Sequence, residues 1–309
     1  MDTRVSTSGN YSAILANLME AQQRQVDAGN RVSTQQNGSN LKDYANTAET
    51  LTAMKSVDRR ITNYQDTNSQ IAAKLTTQDG ALTQVADAAT AVRQAITDAL
   101  ASDRSDTFMQ QVQGQFQSAV NGLNAKYDGK YLFAGGQINT QPVTATALTD
   151  LTAGPPISSF FKNDTFKVQA KLDDSTTVTT GVLATDVGTN MLTALKSIQA
   201  FQESAAGPFT GQLTAAQRTF LEGQLATWDG IRGATTTAAA QNGIVQQQVD
   251  TAKAGLVSQQ NTLTIMIGGV TDADMAKAAT DLSNAQLAVQ ASAHVLVALR
   301  DSSLLNLLR

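Results

Sequence analysis

Residues 54–99 carry the sequence MKSVDRRITNYQDTNSQIAAKLTTQDGALTQVADAATAVRQAITDA, in which apolar side chains recur at alternating intervals of three and four residues. The apolar positions, which we call the seam, are Met54, Val57, Ile61, Tyr64, Ile71, Leu75, Leu82, Val85, Val92 and Ile96, together with two alanines. An average interval of 3.5 residues keeps one apolar stripe along one side of a helix, as in a left-handed coiled coil. At ~1.5 Å per residue such a helix is about 70 Å long.

A helix of that length needs another segment beside its seam. Two flanking regions, 106–127 and 213–266, also carry larger apolar residues at helical spacing. Asn68 and Gln78 interrupt the seam, and they are either register devices or contacts to an outer domain or to a neighbouring subunit. The sequence therefore predicts a long antiparallel helical coiled-coil rod.

The pattern changes in residues 130–190, which hold Thr/Val-rich runs, glycine pairs and three of the four prolines. The run Phe166–Leu172 alternates between apolar and polar residues, which is typical of a half-buried strand. We therefore expect a mainly α fold with a small β-rich insertion, placed as an outer domain at the tip of the rod.

Both terminal regions are apolar, although chain ends are usually polar and frayed. The apolar positions on the two expected terminal helices are Tyr11, Ile14, Leu15, Leu18, Met19 and Val26, and Leu282, Val289, Leu296, Leu299, Leu304, Leu305 and Leu308. The simplest partner for each helix is the other helix together with the next subunit. These residues are the predicted assembly interface.

The pattern divides the chain into five parts. They are an N-terminal helix in residues 1–40, long rod helices in 41–129, the β-rich domain in 130–190, returning rod helices in 191–267 and a C-terminal helix in 268–309. Thr271 and Asp272 are expected to cap the start of the last helix, since acids and hydroxyls there satisfy free N–H groups. A metal site at these acids is the weaker reading, because too few oxygen ligands surround them.

Composition excludes much of catalytic chemistry. Cysteine is absent and His294 is the single histidine, so thiolate chemistry and multi-histidine metal sites are ruled out. Lysine and arginine number 22 against 26 acids, without a basic run, so nucleic acid is not an expected partner. The longest aliphatic run, 295–299, is far shorter than the ~20 residues of a membrane span, and a cleaved Sec signal is lacking. We expect neither an enzyme nor a cofactor, a metal or a membrane partner.

Three stretches resemble the flagellin superfamily, and within it the hook-filament junction family, also called hook-associated protein 3. Residues 4–8, RVSTS, precede an amphipathic helix, and residues 124–142, NAKYDGKYLFAGGQINTQP, are similar to that family's signature at the border of its outer domain. Residues 270–276, VTDADMA, and 303–309, SLLNLLR, are similar to the C-terminal helix of flagellins. The connecting segment 35–43, QQNGSNLKD, departs from the family pattern.

The resemblance implies a structural component of the bacterial flagellum that joins the distal hook zone to the flagellin filament by helical self-assembly. The implied partners are copies of itself in a ring, the other hook-associated junction protein on the hook side, flagellin on the filament side and a flagellar export chaperone. The implied location is outside the cell. Three alternatives stay open: a flagellin that forms the filament itself, an adhesin or enzyme displayed in the insertion, and an intracellular coiled-coil adaptor.

Overall fold

The structure, a computed structural model, describes the backbone of residues 2–305 and the side chains of residue 9 and of residues 11–299. Helices dominate the described part of the chain, and the sequence expectation of a mainly α fold is confirmed. The helices are α1 (Asp2–Thr34), α2 (Ala48–Ser102), α3 (Phe108–Leu123), α4 (Leu148–Thr152), α5 (Ala184–Gln202), α6 (Ala215–Thr271) and α7 (Met275–Leu305). Short 3-10 turns lie at Leu41–Tyr44 and Ile157–Phe160.

The strands are few and short. They form two antiparallel ribbons, β1 (Lys126–Tyr127) with β2 (Lys130–Tyr131), and β3 (Gln169–Lys171) with β4 (Thr177–Thr179). The insertion thus contains the strand expected within residues 166–172, but most of it is irregular, and hydrogen bonds between its loops hold it together.

The chain folds into two compact units. The terminal unit comprises Met1–Arg60 and Gln259–Arg309, and the central unit comprises Ile61–Ser258. Helices α2 and α6 each contribute residues to both units.

The core of the central unit is built from the seam of α2. Leu82, Val85, Val92 and Ile96 have no exposed surface and belong to one cluster with residues of α3, α5 and α6, including Trp228. Apolar surface removed from water contributes about 25 cal/mol per Å², so this cluster is the main source of stability of the unit.

Side-chain contacts between α2 and α6 show that the two helices run antiparallel in the central unit. Arg93 Nε donates to Asp229 Oδ1 at 2.6 Å, and Gln78 Nε2 donates to Asn242 Oδ1 at 2.9 Å. A later residue of α2 thus contacts an earlier residue of α6. This is the antiparallel order that the sequence predicted.

The two polar residues of the seam contact the insertion. Asn68 Nδ2 donates to the Leu172 carbonyl at 2.9 Å, and Gln78 Nε2 donates to the Thr180 carbonyl at 3.2 Å. Both side chains are buried. Of the readings that the sequence left open, the structure therefore favours contacts to the outer segment, because a buried amide needs such partners.

The predicted seam is wrong at one position in the terminal unit. Val57 is 36% exposed, whereas Leu51 is buried and Met54 and Asp58 are half-buried. Asp58 Oδ1 accepts a hydrogen bond from Gln260 Nε2 at 3.4 Å, so the stripe that faces α6 passes through Asp58. The sequence pattern was read as a step of three to residue 57 followed by a step of four to residue 61. The structure has a step of four to residue 58 followed by a step of three, and spacing alone cannot distinguish the two orders.

Several predicted boundaries also differ from the structure. The helix of 54–99 ends at Ser102, and α3 is a separate helix after a turn at residues 103–107. The first ribbon begins before residue 130, and α5 begins at Ala184, inside the expected β-rich part. Helix α6 continues to Thr271, past the boundary that the sequence predicted at residue 267.

The predicted helix cap at Thr271 and Asp272 is wrong. The Thr271 hydroxyl donates to the Ile267 carbonyl at 3.0 Å, so this residue belongs to the end of α6. Asp274 caps α7 instead, because its Oδ1 accepts from the backbone N–H of Ala276 at 2.9 Å and of Lys277 at 3.1 Å. The hydroxyl and acidic residues before α7 do contain a helix cap, but the capping residue is Asp274, three residues after Thr271.

Candidate assembly interface

Helices α1 and α7 pack against each other through small and medium side chains. Ala21 and Ala28 of α1 and Ala278 and Ala285 of α7 are buried. The predicted interface residues Ile14 and Leu18 are half-buried on the same side of α1. A Cβ added at Gly29 would lie 4.0 Å from Leu282 Cδ1, which shows how closely the helices approach.

A second apolar stripe on α1 faces solvent. Its members are Tyr11 (48% exposed), Leu15 (42%), Met19 (63%) and Val26 (56%). At about 100° per residue these four positions lie within an arc of about 80°, next to the arc that packs on α7. The apolar surface of α1 is therefore wider than the part that α7 covers, and we call the exposed part the open stripe.

Helix α7 carries apolar side chains on several sides, among exposed polar ones. Leu282, Val289, Leu296 and Leu299 are half-buried, while further apolar side chains on other faces are exposed, namely Leu287 (60%), Val295 (50%) and Val297 (56%). Large apolar side chains on more than one side of a helix indicate more than one apolar contact. These three exposed residues were missing from the predicted interface. Their sequence spacing, which places them on different sides of the helix, was a signal that could have found them.

The remaining predicted interface positions are not described. The side chains of Leu304 and Leu305 and the whole of Leu308 lie outside the described residues.

Charge does not oppose the approach of like copies at this surface. The terminal unit, counted from the sequence, holds ten basic and ten acidic residues, so the formal excess of four acids lies within the central unit. One ion pair, Arg31 with Asp281, joins α1 and α7 at 3.9 Å. Both partners are about half exposed, so the pair contributes little to stability.

The described residues offer no metal or catalytic cluster. No group of three or more His, Cys, Asp or Glu side chains in the described part of the chain is placed to hold a metal. His294 is exposed on α7. No helix in that part of the chain is both long and apolar enough to cross a bilayer.

The described geometry at this end of the chain is a terminal helix pair with an open apolar stripe and a balanced formal charge. Two family models match the chain: the bacterial flagellin N-terminal helical region over residues 5–138 and the bacterial flagellin C-terminal helical region over residues 225–308. Together they cover well over half of it. The chain belongs to the flagellin superfamily.

Solved structures with the same fold include a protein described as a flagellar hook-associated protein of Vibrio parahaemolyticus, with 14% identity and a TM-score of 0.60 over 72% of this chain and 96% of that chain. FlgL of Xanthomonas campestris matches with 13% identity and a TM-score of 0.55, over 69% of this chain and 98% of that chain. FlgL of Bacillus cereus matches with 15% identity and a TM-score of 0.53, over 71% and 99%. No curated protein sequence matches the chain.

Proposed function

We propose that this chain is a hook-filament junction subunit of the bacterial flagellum, which joins the distal hook zone to the flagellin filament by helical self-assembly. The observation that carries the proposal is the open stripe on α1, beside a helix α7 that also exposes Leu287, Val295 and Val297. The chain acts as a structural subunit without catalysis, and it works outside the cell.

Energetics explain why such a subunit assembles on a template. These four side chains are already about half covered, so burying the rest of each one stabilises a contact by roughly half of the 1.5–3 kcal/mol that full burial gives. Association costs about 4–15 kcal/mol in lost translational and rotational freedom. The two terms are of similar size, so one pairwise contact between free copies is marginal. A subunit that joins the end of a growing structure contacts neighbours on several sides. It buries more apolar surface than one pairwise contact does, but it loses its translational and rotational freedom only once.

The border of the outer segment supports the junction reading over a filament flagellin. Residues 124–142 resemble the junction family's signature, and they form a tight hairpin in which Asp128 and Gly129 have φ of 49° and 73°. Positive φ at both central residues is what a type I′ turn requires. Asn124 holds the neighbouring loop, since its Nδ2 donates to the Val143 carbonyl and its Oδ1 accepts from the Val143 N–H, both at 2.9 Å.

The proposed partners follow from the same reading. They are further copies of this chain in a ring, the other hook-associated junction protein on the hook side, flagellin on the filament side and an export chaperone before assembly. Export takes place through the flagellar channel. The structures with the same fold that are named hook-associated protein or FlgL support this assignment.

Immunogold labelling of isolated flagella tests the assignment. Antibodies raised against the exposed insertion are expected to label one narrow zone between hook and filament. Labelling along the whole filament would contradict the proposal and would identify the chain as a flagellin. A matched control uses antibodies against the filament protein of the same cells, which label the filament and leave the narrow zone free.

A further inference from the structure

Helix α6 carries a heptad pattern on two opposite faces within the central unit. On the inner face every seventh residue is buried, namely Leu221, Trp228, Thr235, Asn242, Val249 and Leu256. On the opposite face exposed residues recur at alternating intervals of three and four, namely Gly223, Ala226, Gly230, Gly233, Thr237, Ala240, Ile244, Gln247, Thr251, Ala254 and Ser258. These intervals keep the second set on one side of the helix. We call this set the outer stripe.

The outer stripe differs from an ordinary solvated helix face in its charge and in the size of its side chains. A solvated face usually carries charged residues, but no member of the outer stripe is charged. A Cβ added at Gly223, Gly230 or Gly233 would meet no atom within 4 Å, so these positions are open. Since the side chains at a contact set the distance between two helices, this face allows another helix to approach closely.

A cavity of about 500 Å³ lies beside the outer stripe, between α6 and the insertion. Thr237 and Ile244 of the stripe line it together with residues 179–182. Gln78 of α2 also lines it and is 1% exposed. Its Nε2 already donates two hydrogen bonds, and its buried Oε1 has no partner among the described residues. Buried polar atoms are normally paired, so this acceptor points to a donor from another molecule.

We propose that the outer stripe and this cavity receive helix α3 of a second copy of the chain. Helix α3 contains no charged residue, and it exposes Gln110, Gly114, Gln117 and Asn121 at intervals of four, three and four. The amide side chains on this face supply the donors that Gln78 Oε1 requires. The central unit has a formal excess of four acids, so two copies meet at the lowest electrostatic cost through surfaces without charge.

This contact joins two different surfaces, and it therefore continues from copy to copy. Each bound copy still presents an unoccupied α3 at one side and an unoccupied outer stripe at the other. Contacts of this kind build rings or helical assemblies rather than closed pairs. The inference rests on the proposed function for the assembly in which the contact forms, and it adds the surfaces through which the central units of neighbouring copies meet.

Charge substitution at two adjacent threonines tests the outer stripe. Thr237→Asp places a carboxylate within it, whereas Thr236→Asp places the same group seven residues after Asp229, on the flank that is already charged. Both threonines are exposed, so both free chains are expected to keep their melting temperature. We expect Thr237→Asp to lower the amount of chain in flagella from cells that lack the native chain by about tenfold or more, because the carboxylate becomes buried there. Thr236→Asp is expected to leave that amount unchanged, and equal amounts of the two variants would overturn the proposal.

Photocrosslinking in flagella identifies the partner of this face. The benzophenone amino acid p-benzoylphenylalanine replaces Ile244, which is 57% exposed and lines the cavity. We expect irradiation to give a product of twice the mass of the chain, in which mass spectrometry finds the label bonded to residues 108–123 of a second copy. The purified free chain is the control and is expected to give no such product.

Absence of the doubled product from flagella would overturn the proposal, as would a bond to a different protein or to another segment of the second copy. The readout identifies the contacting residues whether the chain lies in a narrow zone or along the filament. A failure of the junction assignment would therefore show in the antibody labelling and leave the crosslinking result standing.

Discussion

A chain that carries Leu15→Asp and Met19→Asp is expected to fold with an unchanged melting temperature and to fail to enter flagella. In the free chain Leu15 is 42% and Met19 63% exposed, so the new carboxylates can reach water. In the proposed assembly the same positions are covered. Each substitution then removes roughly half of the 1.5–3 kcal/mol that full burial of such a side chain gives, and an unpaired carboxylate adds several kcal/mol of desolvation cost. A loss of about 4 kcal/mol already lowers the occupancy by about 10³-fold.

The measurement combines circular dichroism of the purified variant with its amount in flagella isolated from cells that lack the native chain. The control places the same two charges at Ala13 and Asn17, which are exposed and lie about 160° around α1 from the centre of the open stripe. The control is expected to assemble. If the variant at Leu15 and Met19 assembled normally, the open stripe would not be an assembly surface.

The second large effect is expected in the core of the central unit. Trp228 has no exposed surface and lies in the cluster that contains Val92 and Ile96. Trp228→Ala removes the whole indole ring, and substitutions of this kind cost about 3–5 kcal/mol. Domains of this size have about 5–15 kcal/mol of stability in total, so the loss is a large fraction of it.

Urea unfolding followed by helix circular dichroism measures this effect, because Trp228 is the single tryptophan and its fluorescence is lost with it. Trp228→Phe keeps an aromatic ring in the core and is expected to cost much less. A midpoint for Trp228→Ala equal to that of the unchanged chain would show that the cluster does not carry the stability of the unit.

The helical parts of the fold could be predicted because their signal is local and repeated. The seam of residues 61–99 needs only periodicity, and burial of Leu75, Leu82 and Val85 agrees with that pattern. At residue 57 the pattern became ambiguous, since both Val57 and Asp58 satisfy a step of three or four. The partner decided the outcome, because Gln260 of α6 binds Asp58.

Features that depend on contacts between distant residues were not accessible from the pattern. The sequence TDAD predicted a cap, but only the end of α6 at Thr271 shows that Asp274 is the capping residue. Hydrogen bonds join Asn37 to Thr271 and Asp272, and nothing in the composition of either linker indicates the other. The residues of the open stripe and the residues of α1 that pack on α7 were predicted together as one interface. The sequence could not separate the two sets, because it does not indicate which side of α1 contacts α7.

Electron microscopy of cells that lack this chain, together with an assay of flagellin in the medium, tests the junction role most directly. The account predicts hooks without filaments and flagellin lost to the medium, because filament growth has no template. Restoring the chain is expected to restore filaments, whereas the variant with Leu15→Asp and Met19→Asp is not. Hooks that bear normal filaments in the absence of the chain would contradict the account.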